Sequence, residues 1–228
     1  MLNDSRHYSA YDKIEAVRTK LLNDRRILEI VDYGAGSTVS TKHSRSVSSI
    51  VKSAVKSKKY SQLLFRFVHH LKPEYILELG TSFGLSTAYM AIANPVSKIY
   101  TYEGSHIIAD IATKNFKKAG LRNIELILGN FDDTLSPIVN RLPKLDMVFF
   151  DGNHRKEPTL NYFQTCLAKA GQNSVFIFDD IHWSRGMEKA WKMIQSDPAV
   201  CCTVDLFFMG LVFFRPEFRE KQHFTIRF

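Results

Sequence analysis

Residues 76–87 read ILELGTSFGLST, and this stretch decides the fold. It opens with a short strand-like run that ends at Leu79. Gly80 then permits a tight turn, and Gly84 lets a following helix lie close to the strand. The N-terminus of such a helix presents unpaired N–H groups and the positive end of its dipole to a polar or anionic ligand. The stretch therefore predicts a strand, a ligand-binding loop and a helix in succession.

The same alternation of strand and helix continues along the chain. Amphipathic helical segments separate apolar, strand-like runs at residues 75–79, 98–103, 124–128, 146–150 and 174–178. Such an alternation predicts a parallel sheet that is covered on both faces. The runs at 203–208 and 211–215 are joined only by Met209 and Gly210, which predicts an antiparallel hairpin. We therefore expect an α/β fold with a Rossmann-like, doubly wound sheet of seven strands, mostly parallel, with a C-terminal antiparallel hairpin and a helical N-terminal extension.

The spacing of the glycines bears on the ligand. A dinucleotide fingerprint reads G-x-G-x-x-G, and its middle glycine allows the pyrophosphate to approach closely. Ser82 occupies that place, which disfavours pyrophosphate and makes an NAD-dependent oxidoreductase the less favoured alternative. A turn with a purely structural role is the other alternative. A second glycine-containing segment, residues 30–38, is not followed by an apolar helix, and we interpret it as a surface turn.

Polar residues follow the second and third predicted strands. Glu103 ends the second strand at the distance, about 20 residues after the glycine loop, where an acid accepts hydrogen bonds from ribose hydroxyls. A solvent-facing acid is the alternative. Gly129 and Asn130 follow the third strand, where an adenine ring is expected. Asn130 or Asp132 could reach the adenine amino group, or an acid of residues 132–133 could cap the next helix.

Three acids follow the fourth and fifth predicted strands. Asp151 ends the fourth, and Asp179 and Asp180 end the fifth. Adjacent strands lie about 4.8 Å apart, so these carboxylates would crowd one edge of the sheet. Crowding of this kind is costly and raises a pKa unless a cation compensates it. A hard divalent cation such as Mg²⁺, Mn²⁺ or Ca²⁺ suits the oxygen ligands of Asp151, Asp179 and Asp180. Asp180 could instead cap a helix or be solvated.

With these residues in place, the stretch from Tyr75 to Arg215 resembles the catechol and caffeoyl-CoA O-methyltransferases. It is more similar still to small bacterial stand-alone O-methyltransferases, and all of these are class I S-adenosylmethionine-dependent methyltransferases. The resemblance implies a cofactor loop of the pattern E-x-G-x-x-x-G and an acid that binds the ribose. The cofactor-binding residues that it implies or that the strand ends supply are Glu78, Gly80, Ser82, Phe83, Gly84, Ser86, Glu103, Gly129, Asn130 and Asp151.

The resemblance also implies metal ligands and a general base. Asp151 and Asp179 match metal ligands, whereas Asp180 stands where the family commonly has Asn. His154 stands where the family's basic Lys is found, as in bacterial relatives that read Asp-Gly-x-His. We therefore expect Asp151 and His154 to be catalytic. The cation would lower the pKa of an acceptor hydroxyl, and His154 would accept its proton. The methyl group would then move from S-adenosyl-L-methionine to oxygen by in-line displacement.

The remaining sequence gives expectations about organisation and partners. We assign residues 1–60 to an N-terminal extension or lid and residues 61–228 to the methyltransferase domain. The net charge is +8, and the stretch 42–59 is basic with no acid. This stretch is either a solvated loop or a lid over the ligand, and it keeps an RNA (tRNA) methyltransferase or RNA-associated protein as an alternative. We expect a cytoplasmic protein, a small-molecule substrate and no membrane partner, and we leave a homodimer open.

Overall fold

The computed structural model of the protein describes residues 2, 4, 6–32, 41–217 and 220–228. The helices of this part of the chain are α1 (Ser9–Leu22), α2 (Val47–Ala54), α3 (Lys58–Leu71), α4 (Leu85–Ala93), α5 (His106–Ala119), α6 (Phe131–Arg141), α7 (Lys156–Leu167) and α8 (Arg185–Ser196). The strands are β1 (Ile27–Asp32), β2 (Thr41–Ser46), β3 (Tyr75–Leu79), β4 (Lys98–Glu103), β5 (Ile124–Leu128), β6 (Leu145–Phe150), β7 (Ala170–Asp179), β8 (Cys202–Asp205), β9 (Met209–Phe213) and β10 (Gln222–Thr225).

Eight of these strands form one sheet in the order β10-β8-β9-β7-β6-β3-β4-β5. Strand β3 pairs in parallel with β6, β6 with β7, and β4 with β5. Strand β9 runs antiparallel to both β7 and β8. The predicted doubly wound, mostly parallel sheet with a C-terminal antiparallel hairpin is thus confirmed. The expected count of seven strands is one short, because β10 adds to β8 in parallel.

Two features explain why β10 is absent from the sequence-based prediction. Its four residues, QHFT, hold one apolar side chain and lie mostly exposed. A short strand at the edge of a sheet needs no apolar run, since only one of its sides is paired. No helix in the described part of the chain is long and apolar enough to span a membrane.

The chain forms two compact units. The first comprises Met1–Glu74 and Gly80–Asn130, and the second comprises Tyr75–Leu79 and Phe131–Phe228. Residues 1–60, expected as an extension, lie within the first unit, and their role as a lid stays a prediction.

An aromatic and polar core holds the first unit together. The rings of Tyr11 and Phe65 lie 4.9 Å apart, and those of Tyr11 and Tyr89 lie 5.5 Å apart. The Tyr89 side chain is fully buried, and its hydroxyl donates to Glu15 Oε1 at 2.8 Å. Arg18 binds the same carboxylate at 3.0 Å. Helices α1, α3 and α4 are therefore joined by apolar contacts and by a satisfied polar network.

The basic stretch 42–59 differs from the predicted loop. It contains the end of β2, all of α2 and the start of α3. Ser46 accepts a hydrogen bond from the Ser49 N–H at 3.2 Å and so caps α2. Apolar side chains at helical spacing then turn inward: Val47, Ile50 and Val51. The capping serine and the apolar residues at helical spacing are both visible in the sequence. They are few among the surrounding serines and lysines, so the segment reads as polar.

The segment before it also differs from expectation. Within the N-terminal extension, which was expected to be helical, residues 27–32 form β1, which pairs with β2 in an antiparallel hairpin. The surface turn expected over residues 30–38 falls largely outside the described residues.

The core of the second unit is aromatic. Phe150 and Phe178 stack with centroids 4.2 Å apart, and Phe178 also lies 6.2 Å from Trp191. Trp191 is buried, with 3% of its surface exposed. Its ring lies flat against β9 at Gly210, where an added Cβ would stand 2.6 Å from the Trp191 Cη2 atom. Gly210 therefore gives α8 its close approach to the sheet.

We expect Gly210→Ala to lower the free energy of unfolding by about 1–3 kcal/mol, because the new methyl group overpacks the Trp191 contact. Urea unfolding followed by tryptophan fluorescence measures this change. Gly171→Ala is the matched control, since its Cβ would meet nothing nearer than Ser174 Oγ at 3.9 Å. Equal stabilities of the two variants would show that α8 can shift without cost.

Candidate functional site

The loop between β3 and α4 has the backbone geometry that its glycines predict. Gly80 and Gly84 have φ values of 102° and 78°, which L side chains rarely adopt. A Cβ at Gly84 would overlap the ring of Phe116, whose Cζ would be 2.5 Å away. The close approach that requires this glycine is therefore to α5. Ser82, between the two glycines, also has a positive φ, of 47°.

Glu103, at the end of β4, ties this loop in place. Its Oε2 accepts from the Ser82 N–H at 2.9 Å, and its Oε1 accepts from the Ser105 N–H at 2.9 Å. A carboxylate offers about four acceptor sites, so an acid that accepts two backbone N–H bonds can also accept from hydroxyl groups. Glu103 is therefore a structural anchor of the loop as well as a candidate ribose ligand.

The loop also contains a polar atom suited to a ligand. Ser82 Oγ is buried and has no hydrogen-bond partner among the described residues. A buried hydroxyl without a partner is costly, and a bound polar molecule would remove that cost. Phe83 and Ser86 are buried on either side of Gly84, with exposures of 0% and 6%. Of these, Phe83 belongs to the apolar core, so its side chain serves packing.

The other expected cofactor residues lie at strand ends. Glu78 is fully buried in β3. Gly129 has a φ of 139°, and its N–H donates to the carbonyl of Glu103 at 3.0 Å. Asn130 immediately precedes α6. For Asp132, an adenine contact and a helix cap were the two alternatives. Its carboxylate accepts a hydrogen bond from the Tyr162 hydroxyl at 2.7 Å.

The second unit contains a group of three side chains that could hold a metal ion. Asp151, His154 and Asp179 each offer a ligand atom, and these atoms lie within 4.8 Å of one another. His154 Nε2 is 3.8 Å from Asp151 Oδ1. Asp179 is 1% exposed, so its carboxylate is removed from water. Burial of such a charge is costly unless it is paired or coordinated.

The composition of this group differs in one member from the set expected from the sequence. Asp180 was expected as the third ligand, whereas the third side chain of the group is His154. The Asp180 Oδ2 atom lies 4.0 Å from His154 Nε2. The alternative reading of Asp180 as a helix cap is wrong, because Ser184 caps α8 by accepting from the Met187 N–H at 3.2 Å.

Exposed aromatic side chains lie in the loops after β7 and β8. Trp183 is 70% exposed, Phe207 63% and Phe208 51%. The Asp180 N–H donates to the Phe208 carbonyl at 2.8 Å, which connects the two loops. His182 Nε2 lies 2.8 Å from Asp205 Oδ2. We name Trp183, Phe207 and Phe208 the aromatic rim.

Two members of the aromatic rim were missed in the sequence. Phe207 and Phe208 were read as the end of a strand, but β8 ends at Asp205. Asp205 Oδ1 accepts from the Phe207 N–H at 2.7 Å, and Phe207 has a φ of 71°. An aspartate followed by a bond to the N–H two residues later is a turn signal. In the sequence, the apolar character of Phe207 and Phe208 favoured a strand over the turn that Asp205 indicates.

Comparison with known proteins gives matches in sequence. A family model described as a methyltransferase domain matches residues 77–181. A catechol O-methyltransferase from Niastella koreensis is 32% identical over 126 residues, which cover 54% of this chain and 55% of that protein. A tRNA (guanine-N(7)-)-methyltransferase from Mycoplasma mobile is 28% identical over 89 residues, which cover 39% of this chain and 44% of that protein. The chain thus spans about half the length of the curated relatives it matches.

A solved structure gives a match in fold. The O-methyltransferase from Bacillus cereus, in complex with SAH, aligns over 92% of both chains with a TM-score of 0.65 and 20% identity. At that identity the likeness is evidence for the fold. Residues 77–181 match the model of a methyltransferase domain, the fold is like that of this solved O-methyltransferase, and the chain is similar to a catechol O-methyltransferase. These matches support the resemblance predicted above.

Proposed function

We propose that this protein transfers a methyl group from S-adenosyl-L-methionine to an oxygen of a small hydroxylated acceptor, with the assistance of a divalent cation. The observation that carries the proposal is the Asp151–His154–Asp179 group, which offers a cation two carboxylates and an imidazole. The methyltransferase-domain match spans both this group and the glycine loop. The catechol O-methyltransferase relative supports oxygen as the methylated atom.

Three features support the glycine loop as the cofactor site. Gly80 and Gly84 hold positive φ values, Glu103 fixes the loop, and Ser82 Oγ is a buried hydroxyl without a partner in the described residues. The similar fold from Bacillus cereus is in complex with SAH. In this proposal Glu103 binds the ribose, Gly129 and Asn130 border the adenine, and the loop holds the methionine part of the cofactor.

The donor set decides which cation fits. Two carboxylates with one imidazole suit Mg²⁺ less well than Mn²⁺, because Mg²⁺ prefers oxygen ligands. If Asp180 replaced His154 as the third ligand, all ligands would be oxygens and Mg²⁺ or Ca²⁺ would fit. When bound, the cation would lower the pKa of the acceptor hydroxyl.

His154 has two roles available, and they exclude each other. An imidazole whose Nε2 binds a cation cannot accept a proton at that atom. If Asp180 completes the metal site, His154 is instead placed to accept the proton of the acceptor hydroxyl. Either way, His154 acts at the group that it forms with Asp151 and Asp179. The distances of 3.8 Å to Asp151 and 4.0 Å to Asp180 are compatible with both roles.

The aromatic rim supports an acceptor with an apolar part. Trp183 and Phe207 present large apolar surfaces to solvent within the unit that holds the carboxylates. Exposed aromatic side chains in adjoining loops commonly mark a ligand surface. We assign the rim to the non-reacting part of the acceptor. By aligning the acceptor with the methyl group, the rim would raise the rate of methyl transfer through a proximity effect.

Glu103→Ala removes the acceptor of two loop N–H bonds and a candidate ribose ligand. We expect the affinity for SAH, micromolar in the native protein, to fall by about 1.5–3 kcal/mol. Isothermal titration calorimetry measures the change. Glu125→Ala is the control, because Glu125 is an exposed acid on the neighbouring strand β5. Unchanged SAH affinity in a folded Glu103→Ala protein would remove Glu103 from the cofactor site.

Removal of the cation should separate chemistry from cofactor binding. We expect chelation by EDTA, or Asp151→Ala, to suppress methyl transfer to a phenolic acceptor and to leave the SAH affinity almost unchanged. Addition of Mn²⁺ should restore the chelated native protein and fail to restore the variant. Full activity of the native protein in EDTA would show that the carboxylate group is structural.

The role of His154 is settled by substitution at that position. His154→Ala should lower turnover by about 10²–10⁴ if the imidazole is the general base, with the Mn²⁺ affinity retained. If His154 is a ligand, the same change should weaken Mn²⁺ binding. Electron paramagnetic resonance of bound Mn²⁺ beside single-turnover rates measures both quantities. Native turnover together with native Mn²⁺ affinity would exclude His154 from the site.

RNA methylation is the second candidate function, and charge favours it. The excess of Lys and Arg over Asp and Glu falls in the first unit, while the second unit is close to balanced. Lys52, Lys58 and Lys59 are exposed on α2 and the start of α3. A basic surface binds phosphates, and the tRNA methyltransferase relative supports RNA as the partner.

If RNA is the substrate, bulk tRNA should bind in a salt-dependent manner. We expect charge reversal of Lys52 and Lys58 to glutamate to weaken binding about tenfold or more at 100 mM salt. A filter-binding titration at several salt concentrations measures this. Reversal of Lys189 and Lys192, which are exposed on α8 in the balanced unit, is the control. No binding of tRNA at low salt would leave the small acceptor as the substrate class.

A further inference from the structure

A chain of hydrogen bonds runs through the second unit from α6 to the loop after β6. The Tyr162 hydroxyl, on α7, donates to Asp132 Oδ1 at 2.7 Å. Asn153 Nδ2 donates to the same hydroxyl at 3.0 Å. Arg155 Nε donates to Asn153 Oδ1 at 2.7 Å. Every member of this chain lies outside the cation-binding group, but Asn153 stands in the sequence between Asp151 and His154.

The direction of these bonds is fixed by chemistry. A phenol has one proton, and Asp132 as a carboxylate can only accept, so Tyr162 must donate to it. Burial, and then the bond to Asp132, raises the pKa of Tyr162, so the hydroxyl keeps its proton. The oxygen of Tyr162 is then an acceptor, which sets the Asn153 amide nitrogen toward it. The amide oxygen of Asn153 is left to face Arg155.

Asn153 is held in a conformation that a residue with a side chain seldom adopts. Its φ is 56°, and it is 7% exposed. The left-handed region is costly for residues other than glycine, although asparagine tolerates it best. This left-handed residue lies between Asp151 and His154, and the imidazole Nε2 of His154 is 3.8 Å from the Asp151 carboxylate.

The first turn of α6 also contacts the residue before Asn153. An added Cβ at Gly152 would stand 2.7 Å from Phe131 Cε2 and 3.3 Å from the Leu79 carbonyl oxygen. The Phe131 ring meets the Tyr162 ring edge-on, with centroids 5.8 Å apart. Phe131 and Asp132 thus constrain two consecutive loop residues, Gly152 by direct contact and Asn153 through the Tyr162 hydroxyl.

We propose that Tyr162, anchored by Asp132, is a positioning residue that holds Asn153 left-handed and so brings His154 to Asp151 and Asp179. The proposal rests on the proposed function in one respect, that this group binds a divalent cation. The arrangement itself is independent of the cation. Tyr162 is not a member of the group that could hold the cation, and its effect passes through the loop of residues 151–155.

The test is Tyr162→Phe, which keeps the ring against Phe131 and deletes the hydroxyl. Two properties are measured on the full chain. The first is the dissociation constant for Mn²⁺, by electron paramagnetic resonance, which should rise about 10- to 100-fold as for loss of a group that orients metal ligands. The second is amide hydrogen exchange of residues 151–155 without metal, which should accelerate about tenfold as the loop opens more often.

Tyr89→Phe is the matched control. Tyr89 is likewise buried on a helix, and its hydroxyl donates to a carboxylate, that of Glu15, at 2.8 Å. This variant loses the same group in the first unit. It should lower the thermal midpoint of the protein and leave both the Mn²⁺ affinity and the exchange of residues 151–155 at native values.

Asn153→Gly gives a second test in case Tyr162→Phe does not fold. Glycine accepts a φ of 56° without strain but makes none of the bonds. If the bonds position the loop, this variant should also weaken Mn²⁺ binding and accelerate exchange. Native values for both properties in folded Tyr162→Phe or Asn153→Gly would overturn the proposal. If the native protein binds no Mn²⁺ while Tyr162→Phe still accelerates hydrogen exchange, the proposed cation site is wrong and the positioning role of Tyr162 is supported.

Discussion

A carboxylate at the end of a buried strand needs a partner, and the loops and side chains around two such carboxylates supply one. An unpaired charge that is removed from water is costly. At the end of β4, Glu103 is satisfied by two N–H groups of neighbouring loops. At the end of β7, Asp179 is almost fully buried and shares a small space with Asp151 and His154. The first acid orders a backbone loop, while the second assembles side chains.

The loops that follow these strands share a backbone feature. Among the described residues, non-glycine positions with positive φ include Ser82 after β3, Asn153 after β6, Asp180 after β7 and Phe207 after β8. Such conformations are costly and persist only where the surroundings impose them. Each of these loops is joined to a neighbour by a hydrogen bond, as Ser82 is to Glu103 and Asp180 is to Phe208. Four of the five such positions among the described residues therefore follow strands of the sheet, and the fifth, Lys72, ends α3.

The sequence predicts the sheet well because its signals are local. The apolar run 75–79 specifies β3, and the close succession of the runs 203–208 and 211–215 specifies a hairpin of β8 and β9. The predicted connection at Met209 and Gly210 is wrong, because both residues belong to β9 and the turn lies at 206–208. The prediction for the basic segment 42–59 was wrong because its local signal is weak. Only three inward-facing apolar residues among many polar ones define α2. Strand β10 carries almost no local signal and depends on its pairing with β8.

The site divides in the same way. The acids at strand ends were found because position along a strand fixes where the chain emerges, as for Glu103 and Asp151. His154 was expected as a base beside Asp151, and its place with Asp151 and Asp179 in the group that could hold a cation was missed, because the residue before it, Asn153, is left-handed. That turn is imposed by Tyr162, which is remote in sequence from Asp132. Contacts of this kind have no periodic pattern to reveal them.

Strand β10 has a consequence for solubility. Without it, β8 would be the outermost strand of the sheet and would offer its backbone N–H and C=O groups to other chains. β10 covers that edge with a strand that is short, mostly polar and flanked by Lys221 and Arg227. Charges beside an edge strand discourage pairing between molecules. Loss of the C-terminal segment would therefore lead first to self-association through the exposed edge of the β8–β9 hairpin.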